Sequence, residues 1–69
     1  MPIQHKTPFG IYHWDTFDNA TILIATADTL EEAEKKVKER YGDRIKATGA
    51  DQVDIVDLRG NIVKAFKVG

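Results

Sequence analysis

The spacing of apolar residues along this chain changes twice. Phe9 to Asp15 and Ala20 to Ala27 are rich in aromatic and β-branched residues and are separated by Thr16, Phe17, Asp18 and Asn19, which predicts a hairpin closed by a four-residue loop. From residue 28 to residue 41 the period lengthens. Leu30, Ala33, Val37 and Tyr41 recur at helical spacing, and Glu31, Glu32, Glu34, Lys35, Lys36, Lys38 and Glu39 fill the positions between them. Gln52 to Asp57 and Asn61 to Val68 then return to strand character around Leu58, Arg59 and Gly60. These elements predict an α+β fold of order ββαββ, one helix packed on one face of a mainly antiparallel four-stranded sheet. Residues 1–7 are expected to lead in loosely, and the order of the two hairpins in the sheet stays open.

The helix start carries two possible capping registers. Asp28 with Glu31, or Thr29 with Glu32, supplies the cap and the glutamate three residues on that complete a capping box. Gly42 is placed to take a left-handed C-terminal cap, and the acidic first turn and basic last turn match the helix dipole.

In the second hairpin the spacing suits a type I turn with Asp57 first and Gly60 in the left-handed bulge position. That turn predicts the pairs Asp57–Asn61, Ile55–Val63, Asp54–Lys64 and Val53–Ala65, of which Asp54–Lys64 is an attractive cross-strand charge pair. Strand alternation sorts the side chains onto two faces. Phe9, Ile11, Ile22, Ile24, Val53, Ile55, Val63 and Ala65, with His13 and Thr26, form the uncharged face expected beneath the helix. Tyr12, Trp14, Thr21, Leu23, Ala25, Gln52, Asp54, Val56, Ile62, Lys64 and Phe66 form the other. In the connection from Asp43 to Asp51, Ile45 is the residue expected to be buried.

Composition narrows the function classes. At 69 residues the chain makes one domain with a thin core, and without cysteine it draws stability from packing or self-association rather than from disulfides or thiolate zinc. Ten basic and eleven acidic residues are interspersed and give a formal net charge of −1, which favours no highly charged partner. The longest apolar run, Ile22 to Ala25, is far too short to span a bilayer, and the N-terminal residues lack a signal-peptide pattern. The expected protein is soluble and cytoplasmic.

The residues offer little for catalysis. There is no serine and no cysteine, and neither His5 nor His13 stands in a hydrolase-like motif, so a non-enzymatic protein without a cofactor is expected. His13 and Asp15 point the same way on one strand and could form half a metal site with His5 as a remote third ligand, although a surface histidine beside a loop explains them as well. Asp51, Asp54 and Asp57 repeat every third residue, unlike the alternating ligands of a calcium loop. Arg44 and Lys46, flanked by Gly42 and Gly49, could touch an anion, whereas the glutamates at the helix start repel one.

The face opposite the helix is the strongest candidate for function. Tyr12, Trp14, Leu23, Val56, Ile62 and Phe66 surround Asp54 and Lys64 there, and nothing obvious covers them unless termini or loop residues such as Ile3 and Phe17 fold over. Apolar patches rich in Tyr, Trp and Phe suit a protein partner, including a second copy of the same chain. The alternative is single-stranded nucleic acid stacked on Tyr12, Trp14 and Phe66, which lacks the basic groove that phosphates need.

Ala27-Asp28-Thr29-Leu30-Glu31-Glu32-Ala33, then Gly49-Ala50-Asp51-Gln52-Val53-Asp54-Ile55-Val56-Asp57 and Gly60-Asn61-Ile62, resemble a group of small uncharacterised bacterial and archaeal proteins. In these, two strands, a helix and a closing hairpin form the whole chain, so the resemblance implies the same ββαββ fold over residues 9–66. The helix opening is also similar to HicB-like antitoxin domains. This chain departs from that pattern in having two strands before the helix and no segment that reads as a separate DNA-binding element. Neither resemblance implies a catalytic residue.

Overall fold

In a computed structural model, which describes residues 4–69, β1 (Phe9–Asp15) and β2 (Ala20–Ala27) precede helix α1 (Leu30–Tyr41), and β3 (Asp51–Asp57) and β4 (Ile62–Val68) follow it. Thr29 decides where the helix begins. Its backbone is extended, and its hydroxyl accepts the Glu32 amide at 3.0 Å while the Glu32 carboxylate accepts the Asp28 amide at 3.3 Å. The Thr29–Glu32 register is therefore the one used, and Asp28 lies outside the helix. At the other end Gly42 adopts φ +49° and donates its amide to the Lys38 carbonyl.

All four strands join one antiparallel sheet of order β2-β1-β3-β4. The two central strands are the most buried, with Ile11 and Tyr12 in β1 and the run Val53 to Val56 in β3 shielded on both faces. On one face Ala33, Val37 and Tyr41 of α1 pack against Ile11, Val53, Ile55 and Val68. Ile45 is half-buried against this core, bridged to Val68, and follows a 3-10 turn over Gly42–Arg44.

Each edge strand carries one extra residue. In β2, Ile11 faces Ala25 and Tyr12 faces Leu23, which leaves Ile24 as the bulged residue. In β4, Ile55 faces Lys64 and Val56 faces Ile62, which leaves Val63 in the same role. A bulge moves every side chain beyond it to the opposite face.

These bulges correct the predicted register and faces. The second turn forms as expected, with Gly60 at φ +85° and its amide on the Asp57 carbonyl at 3.2 Å. Past Val63, however, the pairs are Ile55–Lys64, Asp54–Ala65 and Val53–Phe66, not Ile55–Val63, Asp54–Lys64 and Val53–Ala65. Lys64 thus lies on the helix side, where it pairs with Glu34 of α1, and Phe66 packs against the core. In β2, Ala25 joins the helix side and Thr26 moves to the far side opposite Gly10.

Candidate interaction surface

The eight residues expected to share one open face are dispersed. Phe66 and Lys64 belong to the helix side, where the Lys64 ammonium also sits 5.5 Å from the Phe66 ring centroid. Tyr12, Asp54 and Val56 remain on the far side but are buried. Asp54 accepts a hydrogen bond from the Gln52 side-chain amide at 2.6 Å. Trp14 at 40% exposure and Ile62 at 52% are still open to solvent, and Leu23 is half-buried.

The cover over this face is the segment leading into β1. His5, in a stretch expected to be loose, is only 5% exposed, with Nδ1 2.6 Å from the Tyr12 hydroxyl. That hydroxyl also accepts the Gln4 amide at 2.9 Å, so its own proton is available to His5. Gly10 provides the room, because a Cβ at that position would stand 2.4 Å from His5 Nδ1. His5 Nε2 is buried without a hydrogen-bond partner among the described residues. Of the two residues considered as covers, Phe17 points away at 94% exposure, and Ile3 lies outside the described residues.

Exposed large apolar side chains are shared between the hairpins, with Leu58, Ile62 and Val63 on the second, but the exposed aromatics among the described residues, Trp14 and Phe17, both belong to the first. Trp14 stands opposite Thr21, Ile22 stands opposite His13 at 56% exposure, and Phe17 occupies the loop between the strands. The loop is held by Asp15, whose carboxylate accepts the amides of Phe17 at 2.9 Å and Asp18 at 3.3 Å, while Asn19 takes φ +51°. Phe17 is therefore presented by an ordered turn.

Beneath this hairpin lies a polar chain that linear spacing does not reveal. His13 Nε2 is 3.1 Å from the Asp51 carboxylate and Nδ1 is 2.7 Å from the Tyr41 hydroxyl, while Thr16 donates to Asp51 through both its amide at 3.2 Å and its hydroxyl at 3.1 Å. A carboxylate only accepts, so in the neutral ring the proton lies on Nε2 and Tyr41 donates to Nδ1. The hydrogen bond from His13, and next the one from the Thr16 amide, hold the Asp51 carboxyl below the usual carboxylate range. Both ring nitrogens are engaged, and the cluster ties hairpin one to the end of α1 and the start of β3.

This arrangement takes apart the proposed metal half-site. His13 is committed to Tyr41 and Asp51, Asp15 to its loop amides, and His5 to the opposite face of the sheet. Among the described residues no group of three or more His, Cys, Asp or Glu side chains is placed to hold a metal ion. Arg44 is similarly occupied, donating from Nε to the Gly69 carbonyl at 3.1 Å and lying 5.6 Å from the Tyr41 ring centroid. Gly49 packs against the Val68 backbone, where a Cβ would come within 2.4 Å.

Compared with protein families, curated proteins and solved structures, the chain matches none of them. Among the described residues no helix is long and apolar enough to cross a membrane.

Proposed function

We propose that this chain is a non-enzymatic protein-interaction module that works through its first hairpin. The observation that carries the reading is that the exposed aromatics Trp14 and Phe17 stand, with exposed Ile22, on one hairpin whose strand β2 holds no charged residue. Aromatic side chains offered on a rigid turn suit a protein partner, because they bury large apolar area at small entropic cost. His13 and Asp51 support the same role by fixing the hairpin to the rest of the fold. Stacking of single-stranded nucleic acid receives no comparable support, since Tyr12 is covered and Phe66 lies on the opposite side of the sheet from Trp14.

Affinity capture with three baits tests the reading. A Trp14→Ala/Phe17→Ala bait is expected to lose partners that the unmodified chain retains, whereas a Leu58→Ala/Ile62→Ala bait at the other hairpin turn keeps them. Identical captured sets from all three baits would contradict it.

A further inference from the structure

The two edges of the sheet are built differently. The β4 edge carries Lys64 and Lys67, and its C-terminal part is paired: the Lys46 amide donates to the Lys67 carbonyl at 2.9 Å, and the Gly69 amide to the Arg44 carbonyl at 2.8 Å. Lysines and a covering segment are the devices that keep an edge from pairing with another chain. β2 has neither. Its eight residues, Ala20–Ala27, contain no charge, proline or glycine, and the protections it does have lie in its second half. These are the bulge at Ile24 and the Lys36 ammonium on the Thr26 carbonyl. The first half, Ala20 to Leu23, is regular and runs past the exposed Ile22.

We propose that β2 pairs antiparallel with β2 of a second copy, centred on Ile22, to give a two-fold dimer with a continuous eight-stranded sheet. The proposal rests on the reading of hairpin one as the working surface and names its partner. An isologous contact sets each residue against its symmetry counterpart, so a strand without charge meets itself without repulsion. With Ile22 on the axis, Thr21 faces Leu23 in both directions, so the pairing stays within the regular stretch ahead of the bulge at Ile24.

The helices agree with this geometry. The two-fold runs perpendicular to the sheet, so both copies of α1 lie on the same face and point in opposite directions. The furrow between α1 and β2 is lined by Ala25, Lys36, Glu39 and Arg40. Glu39 and Arg40 carry opposite charges side by side, so an antiparallel copy can meet each with its opposite. The assembly also stops at two, because the outermost strands of the dimer are the protected β4 edges. A short regular pairing of this kind lies at the low end of specific interfaces, below about 1,200 Å² in total, so the association is weak and concentration-dependent.

Sedimentation equilibrium from low micromolar to millimolar concentration tests the proposal. The unmodified chain is expected to move from the 7.8 kDa mass of one copy toward twice that value. Ile22→Lys sets two like charges against each other on the axis and is expected to weaken association at least about tenfold. The exposure of Ile22 lets this variant keep its fold, which its amide spectrum checks. Ile22→Glu is expected to behave likewise, and an equimolar mixture of Ile22→Lys and Ile22→Glu recovers the dimer. An unmodified chain that stays monomeric at millimolar concentration overturns the self-pairing, as does an Ile22→Lys variant that associates like the parent or a mixture that shows no recovery. Loss of self-pairing with the bait dependence of the capture experiment intact would leave hairpin one as a surface for a different protein. Loss of both would overturn the two readings together.

Discussion

His5 Nδ1 lies 2.6 Å from the Tyr12 hydroxyl, with Gly10 beneath the ring, and this contact determines what the far side of the sheet shows to solvent. An aromatic surface that strand alternation leaves open is closed at its centre by one histidine from the leading segment. What stays open on that side is Trp14 at the hairpin-one end and Ile62 at the other. Gly10→Ala places a methyl group where the His5 ring stands, so the ring must leave. Overpacking of this kind costs about 1 to 3 kcal/mol. Chemical denaturation should register that loss, and Tyr12 should become accessible to iodination. An unchanged midpoint with Tyr12 still protected would contradict the account.

The bulge at Val63 makes opposite predictions for two aromatic residues that alternation alone places on one face. Phe66 packs against the core on the helix side, whereas Trp14 is substantially exposed on the other. Phe66→Ala should therefore shift the amide resonances of α1 and cost about 1 to 3 kcal/mol, less than a fully buried phenylalanine, because Phe66 is half-buried. Trp14→Ala should leave the amide resonances of α1 in place, because its ring lies on the side of the sheet away from the helix. Equal shifts in α1 from the two variants would mean that the bulge is misplaced.

Two capping registers could be written for the helix start, and only Thr29 is used. Thr29→Ala removes the acceptor for the Glu32 amide and should cost about 1 kcal/mol. Asp28→Ala leaves that hydrogen bond in place and should cost clearly less. Thermal unfolding of the two variants separates the registers, and the reverse ranking would favour the Asp28–Glu31 box.

Asp51 gives the acid limb of stability a defined sign. Hydrogen bonds from His13 and Thr16 lower its pKa in the folded chain. A lowered folded pKa means the contribution is fully present above the unfolded value and is lost as pH falls through the folded value, that is, below about pH 4. Asp51→Asn should therefore lose less stability than the parent between about pH 5 and pH 2, with part of the slope retained through Glu34, which Lys64 also holds low. Melting temperatures across that range are the measurement, and parallel curves would contradict the assignment.

Much of the architecture was legible from residue spacing because it is set by local chemistry. The Thr29 cap, the stripe Ala33, Val37 and Tyr41, the loop at 16–19 and the Asp57–Gly60 turn each need only a few neighbouring residues. The candidate surface was much less legible. Ile24 and Val63 carry no sign of being bulged, since both look like ordinary β-branched strand residues, and one extra residue reverses every inference downstream. His5 could not be placed on Gly10 from spacing, nor His13 between Tyr41 and Asp51, because those contacts depend on which strands are neighbours. The hairpin order β2-β1-β3-β4 provides that information, and it also makes uncharged β2 an edge.

The most direct test of hairpin one as the working surface is a series of two-dimensional amide spectra recorded over increasing protein concentration. Progressive shifts confined to the Phe17 loop, Ala20 to Ile24 and the α1 flank at Lys36 to Arg40 are expected, with β4 unmoved. Shifts centred on β4, or on the face that His5 covers, would contradict it.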